Sequence, residues 1–263
     1  MPDILDPYRP RASLVHRADP RVKVVVAVAS ILVTAALPLG AWPSYVVLLA
    51  AILALAVSAR LGVGFTLTRG LIEAPFALAA LPLVFSTPGA PLVSLRLGPL
   101  VLDATVPGLE RFLSVLAKSY LSVQFAILLT ATTRFTELLA AMRALRVPRL
   151  LVAVFGLMWR YMFLFVHEVN RLRIARDARS ADIGPKSGGT LAWRARVTGG
   201  MVGNLFVRGY ERSERVYQAM LARGYDGEVR TLPMGRLSAS QYGILAGSMA
   251  ILAFLVVLGI LFG

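Results

Sequence analysis

Two short triplets carry the most pointed chemistry in this sequence: Ala178-Arg179-Ser180 and Ala222-Arg223-Gly224, each closing a stretch with helical spacing. An arginine between small residues can enter a narrow acidic groove and engage a carboxylate with both arms of its guanidinium. The same residues also have plainer uses. Arginine in a last helical turn complements the helix dipole, and glycine after it is a common C-cap. Basic residues beneath a membrane attract anionic lipid by about 1 kcal/mol each. The repetition of one form inside a single arginine-rich stretch, Arg171 to Gly227, favours docking to a partner.

The remaining reactive residues are few. The histidines are His16 and His167, with no His-Glu-x-x-His, which disfavours a zinc hydrolase. His167-Glu168 reads as a surface pair on a helix. Gly184-Pro-Lys-Ser187 lacks the glycine that precedes lysine in a phosphate loop and the strand that leads into one, so no nucleotide site is expected on this chain. A membrane-embedded lipid phosphotransferase is the rival from another class. It would need clustered aspartates beyond Ala222-Arg223-Gly224-Tyr225-Asp226-Gly227, and none follow. Glu73 and Lys118 fall in apolar stretches, where charge is costly and is either paired or functional. Glu73 can pair with Arg69 at i, i+4, whereas Lys118 needs a partner or a wet cavity.

These residues sit in a chain whose composition is that of a membrane protein. Over 263 residues, 57% are hydrophobic, against the usual 45–50% of soluble domains. The net charge is +14, and it is segregated: 18 of 28 Lys+Arg lie between Arg134 and Arg236 with 8 of 14 acids, leaving +10 in that window. Cysteine is absent, which excludes disulfides and thiolate metal sites. Nucleic-acid binding would want a soluble module with interleaved exposed aromatics, and this pattern is not one. The N-terminus lacks the features of a signal peptide, so the first helix is expected to insert and stay attached.

Taken in order, Asp19-Pro20 opens the first apolar run, Val22 to Leu39, as N-cap and first helical residue. Arg11, Arg17, Arg21 and Lys23 crowd that border and place the N-terminus in the cytoplasm. A second span runs from about Ser44 to Ala59. A third, Leu71 to Ser86, carries Pro75 and Pro82 on one face and should kink. Thr87 to Pro107 reads as an external loop with a short hairpin in Leu92–Leu102. A fourth span reaches about Thr132. Phe135, Leu138, Leu139, Met142 and Leu145 mark a short amphipathic helix, stopped at Val147-Pro148.

Leu150 to Val166 is apolar but interrupted by Trp159-Arg160. It is read as a helix half-buried on the cytoplasmic side, with a full crossing as the alternative. A break over Asp182–Gly189 precedes a long helix, about Leu191 to Ala222, and a last span covers Tyr242 to Phe262. The expectation is an all-α polytopic membrane protein with about five transmembrane helices, a sixth being possible. Transmembrane helices occupy 1–133, a cytoplasmic helical domain 134–237, and a C-terminal transmembrane helix 238–263.

At this point the sequence resembles a known family. His16-x-x-Asp19-Pro20-Arg21-x-Lys23, Thr132-Thr133 with Glu137-Leu138-Leu139 and Val147-Pro148, Gly203-Asn204-Leu205, and above all Glu211-Arg-x-Glu-Arg-Val-Tyr-Gln-Ala-Met-Leu-Ala-Arg-Gly-Tyr-Asp-Gly227 resemble the transmembrane T component of energy-coupling factor transporters. The likeness is to the CbiQ type of cobalt uptake systems, over nearly the whole length. It implies a non-catalytic scaffold in a bacterial inner membrane. Two coupling helices would end in Ala-Arg-Gly motifs that dock into a pair of ABC-type ATPase subunits of the CbiO kind. The second motif matches as Ala222-Arg223-Gly224, whereas the first has Ser180 where glycine is usual. The resemblance further implies a substrate-binding membrane subunit of the CbiM/CbiN kind, and no cofactor on this chain, with ATP and Mg on the ATPases. Nickel or a vitamin stands as the alternative substrate, since the partner would bind it.

Overall fold

The computed structural model describes residues 7–70, 73–97, 100–179, 190–227 and 235–262. The order is α1 (Leu14–Arg17), α2 (Pro20–Ala36), α3 (Trp42–Ser58), α4 (Val63–Gly70), α5 (Ala74–Ala80), α6 (Leu83–Ser86), β1 (Pro91–Leu97), β2 (Leu100–Thr105), α7 (Val106–Thr132), α8 (Phe135–Ala144), α9 (Arg149–Arg179), α10 (Leu191–Ala222) and α11 (Ala239–Phe262). It is an all-α polytopic membrane protein with one small antiparallel ribbon. By length and apolar composition, α7, α9 and α11 can each cross a membrane, and α3 and the α5–α6 segment are shorter apolar helices. The residues gather into two compact units, 3–141 with 234–263, and 142–233.

In the first unit α7 is the central post, packed against α2, α3 and the short helices α4 to α6. Its core is a helical stripe on α3, Ala41, Tyr45, Leu48, Ile52, Ala56 and Ala59, at spacings of three and four. Leu121, Phe125, Leu128 and Ala131 of α7 and Leu252 and Leu255 of α11 close on that stripe. Leu48, Ile52 and Leu255 are fully enclosed.

The helix starts follow local chemistry. The Asp19 carboxylate accepts from the Arg21 amide at 2.9 Å, and Pro20 takes the first turn, as the Asp-Pro pair predicts. Thr105 caps α7 by accepting from the Gly108 amide at 3.1 Å, while its hydroxyl donates to the Thr87 carbonyl at 2.8 Å. The third apolar stretch is broken rather than kinked. Pro75 lies in the first turn of α5, and Pro82 stands just before α6. Proline supplies no amide to the preceding turn, so each ring starts a new helix. The ribbon is longer than expected, pairing Pro91 with Thr105 at its base and Leu97 with Leu100 at its tip.

The second unit is built on α9 and α10. The apolar stretch from Leu150 does not stop at Trp159-Arg160: α9 runs unbroken for 31 residues, and α10 for 32. The expected break over Asp182–Gly189 lies outside the described residues.

Candidate functional site

Gly224 explains how α10 ends. Its φ is +77°, a left-handed conformation that glycine adopts at no steric cost. The Gly224 amide donates to the Leu221 carbonyl at 2.9 Å, and the Tyr225 amide donates to Met220 at 3.0 Å. This pair of bonds is a Schellman motif, with Arg223 as C-cap and Gly224 as the residue after it. The glycine of the triplet therefore turns the chain, which leaves Arg223 exposed at the helix tip. Arg179 is the last residue of α9 and is likewise exposed beside Ala178. Ser180 lies outside the described residues. Neither Arg179 nor Arg223 forms an ion pair among the described residues.

What holds the two arginines is a helix crossing that the sequence reading missed. At Gly209 the two helices approach so closely that an added Cβ would stand 2.8 Å from the Phe165 ring. One turn further along α9, Glu168 receives a hydrogen bond from Arg208 at 2.5 Å. Contacts that advance along α9 retreat along α10, so the helices run in opposite directions. Arg179 and Arg223 thus sit at opposite ends of the pair, each fourteen residues beyond the crossing (165 to 179, and 209 to 223). At about 1.5 Å per residue each arm is about 21 Å long. The one available signal was Gly209, since a glycine inside a long helix costs about 1 kcal/mol relative to alanine. Gly199, Gly200 and Gly203 of the same helix, however, have no atom within 4 Å of an added Cβ, so the residue type alone does not single out the crossing.

The other candidate residues belong to the first unit. Lys118 donates to the carbonyl of Leu37, and to that of Ala35 at 3.4 Å, at the end of α2. Ser114, one turn earlier on α7, accepts from the Gly40 amide at 3.1 Å, and Tyr45 donates to Pro38 at 2.7 Å. Lys118 is thus a clasp for the α2–α3 turn: an ammonium placed on free carbonyls at a helix C-terminus. Glu73 is buried, 7% exposed, with the Ser119 hydroxyl on its carboxyl and Oε1 unpartnered among the described residues. The expected Arg69 partner has a side chain outside the described set.

The motif residues near the N-terminus form a second clasp. Lys23 donates to the carbonyls of His16 at 3.0 Å and Thr132 at 3.1 Å, joining two stretches 109 residues apart. His16 Nε2 donates to the Arg9 carbonyl at 3.0 Å, so its Nδ1 is free to accept from Ser13 at 2.7 Å. Burial holds the His16 pKa below its ordinary value, and the charges of Lys23 and Arg11 act the same way. The Arg9 hydrogen bond and the Glu137 carboxylate oppose that shift.

A family model described as CbiQ, cobalt transport protein, matches residues 11–233. An uncharacterized protein of Methanocaldococcus jannaschii is 29% identical over 181 residues, covering 68% of this chain and 60% of its own length. A putative fused cobalt transport protein CbiMQ of Methanocorpusculum labreanum is 28% identical over 222 residues, 82% of this chain and 35% of that protein. The energy-coupling factor transporter transmembrane protein EcfT of Listeria innocua is 28% identical over 236 residues, 85% of each chain. The chain thus spans less than two thirds of the length of the first two of these relatives, 60% and 35%.

Proposed function

The chain belongs to the CbiQ cobalt transport protein family, and on that premise we propose that it is the transmembrane scaffold of an ATP-driven uptake transporter of the energy-coupling factor type. In this reading Arg179 and Arg223 each enter one of two ABC-type ATPase subunits and bind acidic groups there in the bidentate manner open to guanidinium. The observation that carries it is the equal reach of the two arginines from one crossing. Two identical sockets on a symmetric ATPase pair call for two similar plugs on opposite arms. Closure of the ATPases on ATP would draw the arms together and pass the motion to a substrate-binding membrane subunit. The chain itself is non-catalytic, with ATP and Mg held by the ATPases.

Cobalt is the proposed cargo, supported by the family description and by a relative whose name joins CbiM to CbiQ. That name also supports a CbiM-like subunit as the membrane partner. The Lys/Arg content of residues 134–236 supports a cytoplasmic placement of the α9–α10 pair, and Arg11, Arg17, Arg21 and Lys23 support the same side for the N-terminus. The membrane proposed is a bacterial inner membrane. The test is co-purification of the ATPases with Arg179→Glu and Arg223→Glu, alone and together. Each single change should weaken recovery and the pair should abolish it, with cobalt uptake lost in parallel. Normal assembly and uptake by the double variant would refute the assignment.

A further inference from the structure

The faces of α9 and α10 enclose more than a crossing. On one side of Phe165 and Gly209 lies a polar pocket of about 240 Å³, into which Arg171, Arg208, Arg212 and Arg215 project with Glu168 and Glu211. On the other lies a larger apolar groove of about 620 Å³, walled by Val154, Met158, Tyr161, Val216 and Met220 among others. The two share Phe165, Gly209 and Arg212, so they meet at the crossing.

The charges in the polar pocket do not balance. Glu168 is taken by Arg208 at 2.5 Å, and Glu211 reaches Arg215 at 4.0 Å. Arg171 and Arg212 form no ion pair among the described residues, which leaves two uncompensated guanidinium groups facing one small cavity. That set fits an ionised phosphodiester, since guanidinium binds phosphate oxygens with paired N–H donors. The adjoining groove requires an apolar body attached to the anion. Met158, on its wall, is 55% exposed, in the half of α9 that is apolar enough for a bilayer.

From this juxtaposition we propose that the α9–α10 crossing seats one anionic phospholipid, with its phosphate between Arg171 and Arg212 and an acyl chain along Met158, Val216 and Met220. A free phosphate would leave the groove empty, and a zwitterionic lipid would bring an ammonium toward four arginines. The site is independent of the coupling role of Arg179 and Arg223, neither of which lines it.

The experiment uses the full chain in lipid nanodiscs containing phosphatidylglycerol with a diazirine in its acyl chain, and maps adducts by peptide mass spectrometry. Adducts are expected within 150–165 and 213–220. Arg171→Gln with Arg212→Gln should weaken occupancy about thirtyfold, at about a factor of five per basic residue. Met158→Trp, which fills the groove, should also remove the adducts without touching the arginines. Labelling by the matching phosphatidylcholine should be weak. Any of the following would overturn the proposal: equal labelling by both lipids, unchanged labelling of the arginine variant, unchanged labelling of Met158→Trp, or displacement by glycerol phosphate as readily as by short-chain phosphatidylglycerol. The last would assign the arginines to a soluble anion. Displacement by an acidic amphipathic peptide at equal concentration would assign the surface to a protein partner instead, and so overturn it as well.

Discussion

Arg179 and Arg223 stand the same fourteen residues beyond the contact of Phe165 with Gly209, on antiparallel helices, and so point away from each other at about 21 Å from one fulcrum. Neither arginine reaches the other, and neither is tied down by an acid among the described residues. What relates them is the crossing alone. A pair of levers sharing one fulcrum transmits motion only if the helix ends hold their geometry.

Gly224→Ala should disorder the tip of α10. The φ of +77° costs a non-glycine residue about 1–2 kcal/mol, and no nearby atom would clash with the methyl group, so the penalty is one of backbone conformation. Asparagine tolerates this region better than alanine. Hydrogen exchange at Gly224 and Tyr225 amides should rise in the alanine variant and less in Gly224→Asn, and ATPase co-purification should fall in the same order. Equal exchange in both variants would refute the conformational account.

Lys118→Met should destabilise the first unit by about 1–3 kcal/mol, because the carbonyls of Ala35 and Leu37 lose the ammonium that satisfies them. Thermal unfolding in detergent reads this directly. Lys118→Arg should recover part of the loss. If uptake falls in Lys118→Met while stability is unchanged, the residue has a role in transport rather than in holding the turn.

Gly108→Ala should be costly for a different reason. A Cβ there would lie 2.4 Å from the Val84 carbonyl oxygen and 2.8 Å from Thr105 Oγ1. Backbone cannot swing aside as a side chain can, so α6 and the start of α7 must separate, at about 1–3 kcal/mol. Gly203→Ala, with no atom within reach of the added carbon, is the control and should leave the unfolding temperature unchanged or raise it.

His16 makes stability depend on pH with a definite sign. Its folded pKa lies below the ordinary 6.5, chiefly through burial, so the unfolded chain takes up a proton before the folded one does. The stability it contributes is therefore present above about pH 6.5 and is lost as pH falls through the folded value. Unfolding temperatures measured downward from about pH 7.5 should decline across that window in the wild type. His16→Gln, which can still donate to the Arg9 carbonyl, should flatten that part of the profile.

Local order was legible in this sequence because its causes are local. The Asp19-Pro20 start, the run of α10 from Leu191 to Ala222 and the glycine stop at Gly224 follow from capping and from a period of 3.6 residues. The segregation of basic residues and the two arginine triplets were equally plain. Tertiary structure decided what those features are joined to. That Lys118 closes the α2–α3 turn depends on which helix end packing brings to it, 81 residues away. That Lys23 binds both His16 and Thr132 depends on α2 lying against α7. Periodicity says that α9 and α10 each have a face, but not that Phe165 settles over Gly209 and so gives both arginines the same reach. Helix ends are set by a few neighbouring amides and carbonyls. The fulcrum is set by the Phe165 ring seating on Gly209, forty-four residues away in sequence, which only the folded chain provides.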